Sequence, residues 1–354
     1  MSNAKASSQA EESPKLVLRT YQASDYNYVD YLYYSTYFAL VPEGVRRKLW
    51  SPLTWAIWFG VYSYLLLIVP VLLSGMNVPS WAPLALKVFF TFAWAAVWFA
   101  ALFAATDRFE IVDKVECARQ NDLSDPEVYY LNWIKREVIV DDEESEQEKS
   151  NSKKRVTFDK DAKPAVEVVR ERKPESEQTP SHFWVLAMEG TPCAMLGLAC
   201  NREDIEDKRE TLPAPWKRLG AAIFRRYHLT VPNIFKASPT AKRDIFAKAH
   251  EPNTATLQRL AVKYEFQSCG LSTLLINRAI NWAADHGIER VYATTDEMMM
   301  QAENVLQLRH GFKKVEKKRT GWFGQYEATW YCDVQEWKEK NNDKTKPQFK
   351  KVSS

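Results

Sequence analysis

The chain has 354 residues, with 48 Lys and Arg against 45 Asp and Glu and a formal net charge of +3. That balance gives no electrostatic reason to expect a nucleic-acid partner, and the length allows one large domain or two small ones. Five cysteines without a Cys-x-x-Cys pair signal neither a disulfide framework nor a metal site, and with no Asn-x-Ser/Thr sequon they favour a reducing, cytosol-facing domain.

Residues 1–14 are rich in Ser, Ala and Glu, lack the apolar core of a signal peptide, and are expected to be a disordered tail. Leu16-Val17-Leu18-Arg19-Thr20-Tyr21 reads as a strand, and Asp25 opens a polar-aromatic helix to about Phe38; together they form a first segment, 15–45. Arg46-Arg47-Lys48 then precedes an apolar block, 49–106. It has no charged side chain from 49 to 86, and after Lys87 none until Asp107. The polar stretch 74–80 divides it into segments at about 50–73 and 81–105, each long enough for the ~20 residues that cross a bilayer as helix. Trp50, Trp55, Trp58 and Trp81 lie toward the segment ends, where indole suits an interface, and Lys87 can snorkel. The basic cluster before the block and the uncharged turn within it place the N-terminus in the cytosol and the turn in the lumen. Two crossings, or a re-entrant hairpin, return the chain to the cytosol. The same pattern also suits two helices buried in a soluble core.

Residues 107–140 are expected to be helical. Residues 141–180 are charged and nearly free of large apolar groups, so they are expected to be a disordered insertion. Within them Lys153-Lys154-Arg155-Val156-Thr157-Phe158-Asp159 resembles the docking peptide that adds a strand to protein phosphatase type 1, with Val156 and Phe158 on one face behind Arg155. Segment 181–338 carries strands at 183–188, 194–199 and 255–262, with an insertion at 201–253. In that insertion Trp216, Leu219, Ile223 and Tyr227 share one helical face, and Lys217, Arg218, Arg225 and Arg226 lie largely on the other. Such a helix suits an anionic membrane surface, or packs onto the domain's own core.

Gln267-Ser268-Cys269-Gly270-Leu271-Ser272 follows the strand at 255–262 and opens a helix over 271–286, in which Leu271, Leu275, Ala279 and Ala283 recur at helical spacing before Gly287. A tight strand-to-helix loop leaves backbone N–H groups unpaired at a positive dipole end, which suits an anion such as pyrophosphate. It is neither a Walker loop nor a Gly-x-Gly-x-x-Gly fingerprint. A strand at 289–295, a helix at 301–309, Gly311-Phe312 and an alternating strand through Tyr326, Ala328, Trp330, Cys332 and Val334 complete the domain. Residues 339–354 read as a second disordered tail.

The order Leu257-Gln258-Arg259-Leu260-Ala261-Val262, Gln267-x-x-Gly270-x-Ser272, helix, strand, helix, Gly311-Phe312 resembles the GNAT superfamily of N-acetyltransferases. The resemblance implies an α/β fold, a mixed sheet flanked by helices, interrupted here by a two-helix transmembrane hairpin. It implies acetyl-CoA as co-substrate. The backbone of Leu260, Ala261 and Val262, with Asn304, would lie along the pantetheine, and Gln267, Ser268, Cys269, Gly270, Leu271 and Ser272 would surround the pyrophosphate. Val41-Pro42 and the basic cluster before the apolar block resemble a narrower group, the camello-like N-acetyltransferases of the endoplasmic reticulum. These include cysteine S-conjugate and aspartate N-acetyltransferases.

The chain departs from the family at one position. Many relatives carry a Tyr four residues before Gly-Phe, often assigned as acid to the leaving thiolate, and here that position is Gln307, which hydrogen-bonds but cannot give up a proton. Cys269 stands where Gly or Arg is usual. Gln307, Asp296 and Glu189 are the weak catalytic candidates, with Glu297, His250 and His310 as further possible bases. The expectation is a membrane-anchored N-acetyltransferase in the endoplasmic reticulum, its domain facing the cytosol, acting on a small amine or a lysine. The alternative is an inactive membrane adaptor with the same fold and a phosphatase-docking peptide.

Overall fold

The computed structural model describes residues 16–75, 79–139, 166–209, 215–235, 244–321 and 323–345. Strands β1 (Leu16–Thr20), β4 (His182–Met188), β5 (Thr191–Ala199), β8 (Thr254–Val262), β9 (Arg290–Asp296), β10 (Lys313–Arg319) and β11 (Tyr326–Asp333) form one sheet in the order β1-β4-β5-β8-β9-β11-β10. Its pairs are antiparallel except β8 with β9. Two small two-stranded antiparallel sheets stand apart: β2 (Trp133–Ile139) with β3 (Val166–Arg172), and β6 (Ile205–Glu206) with β7 (Ile245–Ala247).

Alternation along β4 and β5 builds two cores. Trp184, Leu186, Leu196 and Leu198 face α8 (Leu271–Asp285), which buries Leu275, Ile276, Ala279 and Ile280 against them. Phe183, Val185, Met195 and Ala199 face the other way, onto α1 (Tyr26–Phe38) and α5 (Val112–Gln120). Each fully buried Leu or Ile in these layers is worth about 1.5–3 kcal/mol of apolar burial.

Helix α2 (Val41–Leu49) leads into α3 (Pro52–Leu73) and α4 (Ala82–Thr106), which pack together and are long and apolar enough to cross a membrane by length and composition. Leu67, Val71, Phe89 and Phe92 on them are exposed. Helix α4 runs through a widened π turn, Asp107–Ile111, into α5. Lys48, at the end of α2, is buried and donates to Thr106 Oγ1 at 2.7 Å and Glu110 at 2.6 Å. Thus the last residue of the basic cluster is a structural ion pair rather than a free surface charge. Helices α6 (Pro126–Tyr130), α7 (Pro215–Arg226), α9 (Met300–Asn304) and α10 (Val334–Thr345) complete the chain.

Three sequence expectations change. Segment 107–140 ends as strand β2 rather than helix. Val166–Arg172, inside the expected disordered insertion, is its partner, because Arg170 pairs with Glu127 and both Arg170 and Arg172 lie over the Trp133 ring. Residues 339–345 belong to α10, which is anchored by buried Val334 and Trp337 and capped by Asp333. The first tail (1–14) and the docking-like peptide with Arg155, Val156 and Phe158 lie outside the described residues. In α7, Gly220 and Phe224 pack on Phe235 while Ile223 stays exposed.

Candidate functional site

The site begins where β8 and β9 part. They pair from Thr254 with Arg290 only as far as Leu257 with Ala293, although both strands continue. The cause lies in β8. Leu257 belongs to the α8-facing core and Ala261 to the opposite one, although both are odd-numbered. A bulge against Met195 and Gly197 inserts the extra residue, and Arg259 adopts φ 56°. One extra residue flips the alternation and bends the strand.

A buried ion pair holds the bulge. The Arg259 guanidinium donates from Nε and Nη2 to Asp122 at 2.7 and 2.8 Å, and from Nη1 to Tyr33 Oη at 2.7 Å. Asp122 is fully buried and also accepts from Tyr130 Oη at 2.6 Å. The same Tyr130 Oη lies 3.1 Å from Gln258 Oε1. No local spacing points to this pairing, because its members lie 137 positions apart.

Beyond the parting, Ser268 (φ 66°) and Gly270 (φ 83°) turn the chain into α8. Gly270 is the N-cap and supplies no side chain, so the first amides of α8 keep no side-chain partner. Leu260, Val262, Gln267, Ser268, Gly270, Leu271, Ser272 and Asn304 line one cavity of about 430 Å³ there, together with Arg309, which adds positive charge. Cys269 is exposed and is not among that cavity's lining residues. Ala261 is buried toward α1 and α5, so only its backbone belongs to the strand edge. The Gln267 amide donates to Val262 O at 3.3 Å.

A second cavity, about 710 Å³, fills the gap between the strands and shares Leu260, Gln267, Gln301 and Ala302 with the first. A third, about 650 Å³, shares Tyr37, Thr294, Thr295, Met299 and Glu327 with the second. Burial holds the Tyr37 phenol well above its usual range, so it stays a protonated donor at neutral pH. In the third cavity Asp296 is paired with Lys114 and accepts from Met298 N at 3.0 Å. The Glu297 carboxylate accepts from Tyr326 N at 3.2 Å, and burial raises its pKa.

The remaining catalytic candidates stand elsewhere. Glu189, with φ 51°, is exposed in the tight β4–β5 turn beside Gly190. Gln307 is exposed in a π turn, Val305–Arg309, and lines none of these three cavities. His250 accepts from Asn201 N at 2.9 Å and bonds Thr256 Oγ1 at 2.8 Å, closing the neck of the 201–253 insertion. Burial lowers its pKa. His310 is buried and lies away from the three cavities.

Residues 153–312 match the model of the acetyltransferase (GNAT) family. That match covers a little under half of the chain, and over those residues the chain is similar to the GNAT acetyltransferases. The chain is similar to a solved acetyltransferase of the GNAT family from Staphylococcus aureus, with 9% identity, 90% of this chain and 99% of that one covered, and a TM-score of 0.36. It is also similar to an IAA acetyltransferase from Bacillus cereus (10% identity, 44% and 78% covered, TM-score 0.28). A third likeness is to the ribosomal-protein-S18-alanine N-acetyltransferase from Escherichia coli (12% identity, 45% and 72% covered, TM-score 0.27). No curated protein matches the sequence.

Proposed function

We propose that this GNAT-fold protein is a membrane-anchored N-acetyltransferase that moves an acetyl group from acetyl-CoA to an amine. The observation that carries the reading is the parting of β8 and β9 beside the N-terminus of α8, with three cavities sharing walls along the gap. In this reading the amides of α8 and Arg309 hold the pyrophosphate, and the free edge of Leu260 faces the pantetheine. Tyr37 protonates the leaving thiolate, a role Gln307 cannot take from the outer face of its turn. The exposed apolar faces of α3 and α4 support membrane anchoring. The basic residues before them and the uncharged turn support a cytosolic domain, and the family resemblance suggests the endoplasmic reticulum.

The test uses the detergent-purified chain with acetyl-CoA and a panel of amines, following free thiol and the mass of the products. Amine-dependent thiol release with an acetylated product supports the reading. Absence of both turnover and CoA binding favours the adaptor. The adaptor reading draws on the outward placement of Gln307 and on Val156 and Phe158, whose docking role requires less phosphatase recovered by the Val156→Ala/Phe158→Ala chain than by the unchanged one.

A further inference from the structure

Between Glu210 and Asp244 the sequence has seven Lys and Arg and no Asp or Glu, in a chain whose charges otherwise nearly balance. Helix α7 lies in this stretch, and its packing is one-sided. Gly220 and Phe224 close on the Phe235 ring, and Ala221 is buried. The helix end is tied off by Leu229 N–H donating to Phe224 O at 2.9 Å, past His228 at φ 55°. The neighbouring stripe is left outside: Ile223, Tyr227, Leu229 and Ile234 are 51–68% exposed. Ile223 and Tyr227 therefore do not join the domain's own core, the alternative that the sequence left open. Arg226, one helical turn from Ile223, borders the stripe, and Arg225 follows round the helix; both are exposed. The root of the stretch stands beside the apolar hairpin. Arg209 pairs with Asp207 and donates from Nη1 to Asp113 Oδ1 at 3.1 Å, while Asp207 N donates to Asp244 O at 2.8 Å, so the chain leaves and returns at one point. Asp113 lies in the first turn of α5, which continues α4 through the π turn. It stands about two turns, roughly 10 Å of helix axis, beyond Thr106 at the end of α4.

Resting on the membrane-anchored part of the proposed function, we propose that α7 and the turn after it dock on the anionic lipid headgroups of the bilayer that α3 and α4 cross. Ile223, Tyr227, Leu229 and Ile234 enter the boundary between headgroups and acyl chains, and Arg225 and Arg226 sit among the phosphates. Charge and apolarity together select this partner. A nucleic acid would engage the cations and leave the four apolar groups in water, whereas an anionic lipid surface engages both. The hairpin supplies the proximity: a root about 10 Å from the end of α4 makes docking an intramolecular step. A domain on the cytosolic side meets the leaflet in which anionic lipids concentrate. Docking gives the domain a second foothold and fixes its orientation to the bilayer.

For the test, the full chain carrying Ile223→Cys is labelled there with an environment-sensitive fluorophore. Cys117→Ser and Cys269→Ser remove the two cysteines that are not buried. The labelled chain is reconstituted in phosphatidylcholine vesicles with or without phosphatidylserine. Blue-shifted emission that spin-labelled acyl chains quench reports the docked form. The docked-to-free ratio should be about tenfold or more higher with phosphatidylserine, since each of the two arginines near such a surface is worth about fivefold. Arg225→Gln/Arg226→Gln should remove that gain. Leu229→Gln/Ile234→Gln should also lower the ratio, which a purely ionic contact would not do. Raising the salt about tenfold should shrink the phosphatidylserine effect in the chain with both arginines, a readout that needs no further variant to fold. Equal emission in the two vesicle types, a ratio unchanged by either pair of substitutions, or a larger response to added oligonucleotide in neutral vesicles than to phosphatidylserine overturns the inference. If alkali strips the chain from both vesicle types, the anchoring reading fails separately, and mixing the chain with the same vesicles still decides whether α7 docks.

Discussion

Replacing Asp122 by Asn leaves the Arg259 guanidinium buried without its counter-charge. Arg259 has a side-chain exposure of 16% and Asp122 of 0%, and two hydrogen bonds below 3 Å join them. Breaking a buried pair from one side costs about 3–5 kcal/mol, because the stranded ion keeps its desolvation penalty. For a domain of this size that corresponds to a fall in melting temperature of roughly 6–20 °C, at about 2–4 °C per kcal/mol. The double substitution Asp122→Leu/Arg259→Met removes both charges and should recover most of the loss, since apolar replacement of a whole buried pair is often neutral. Tyr130 keeps Gln258 as a partner in that variant. Thermal melts followed by tryptophan fluorescence in detergent give both numbers. A loss below about 1 kcal/mol in Asp122→Asn, or a double variant no better than the single one, would refute the claim that this pair holds the bulge.

Tyr37→Phe removes the phenol at the junction of the second and third cavities and should lower kcat by about 100-fold or more, the usual size of a general acid's contribution, with CoA affinity unchanged. A kcat within threefold or so of the parent would assign the proton to water instead. His182 packs between Trp184 and Trp282, and burial, with Arg278 and His286, pushes its pKa down to about 4. Its folded value lies below the unfolded one of about 6.5, so its neutral form contributes fully above that pH, and the contribution is lost as pH falls toward 4. The melting temperature should therefore drop over that window by more in the parent than in His182→Phe; equal drops would contradict the burial argument.

The strand–loop–helix of 255–286 was legible because its signals are local: alternation, one Gly at a turn, and apolar residues at helical spacing. The apolar hairpin was legible from length alone. The bulge at Arg259 was not, since a strand with one extra residue reads as uninterrupted and the charge that holds it comes from Asp122. Strand β2 was hidden because its partner, Val166–Arg172, lies beyond a long charged stretch of sequence with few large apolar residues. Gln307 was placed by counting back from Gly311, and the structure puts it exposed in a π turn that such counting does not register. Tyr37, Lys114 and Glu327 reach the site through tertiary contacts, so no spacing pointed to them.

The most direct measurement is calorimetric titration of coenzyme A into the purified full chain, beside the Gly270→Glu chain. Position 270 has open space around an added Cβ, so that substitution puts a carboxylate and a strained φ at the amide cluster without a clash in the core. The account predicts saturable binding by the parent and none by the variant at the same concentrations. Binding that is absent from the parent, or equal in both, would contradict it.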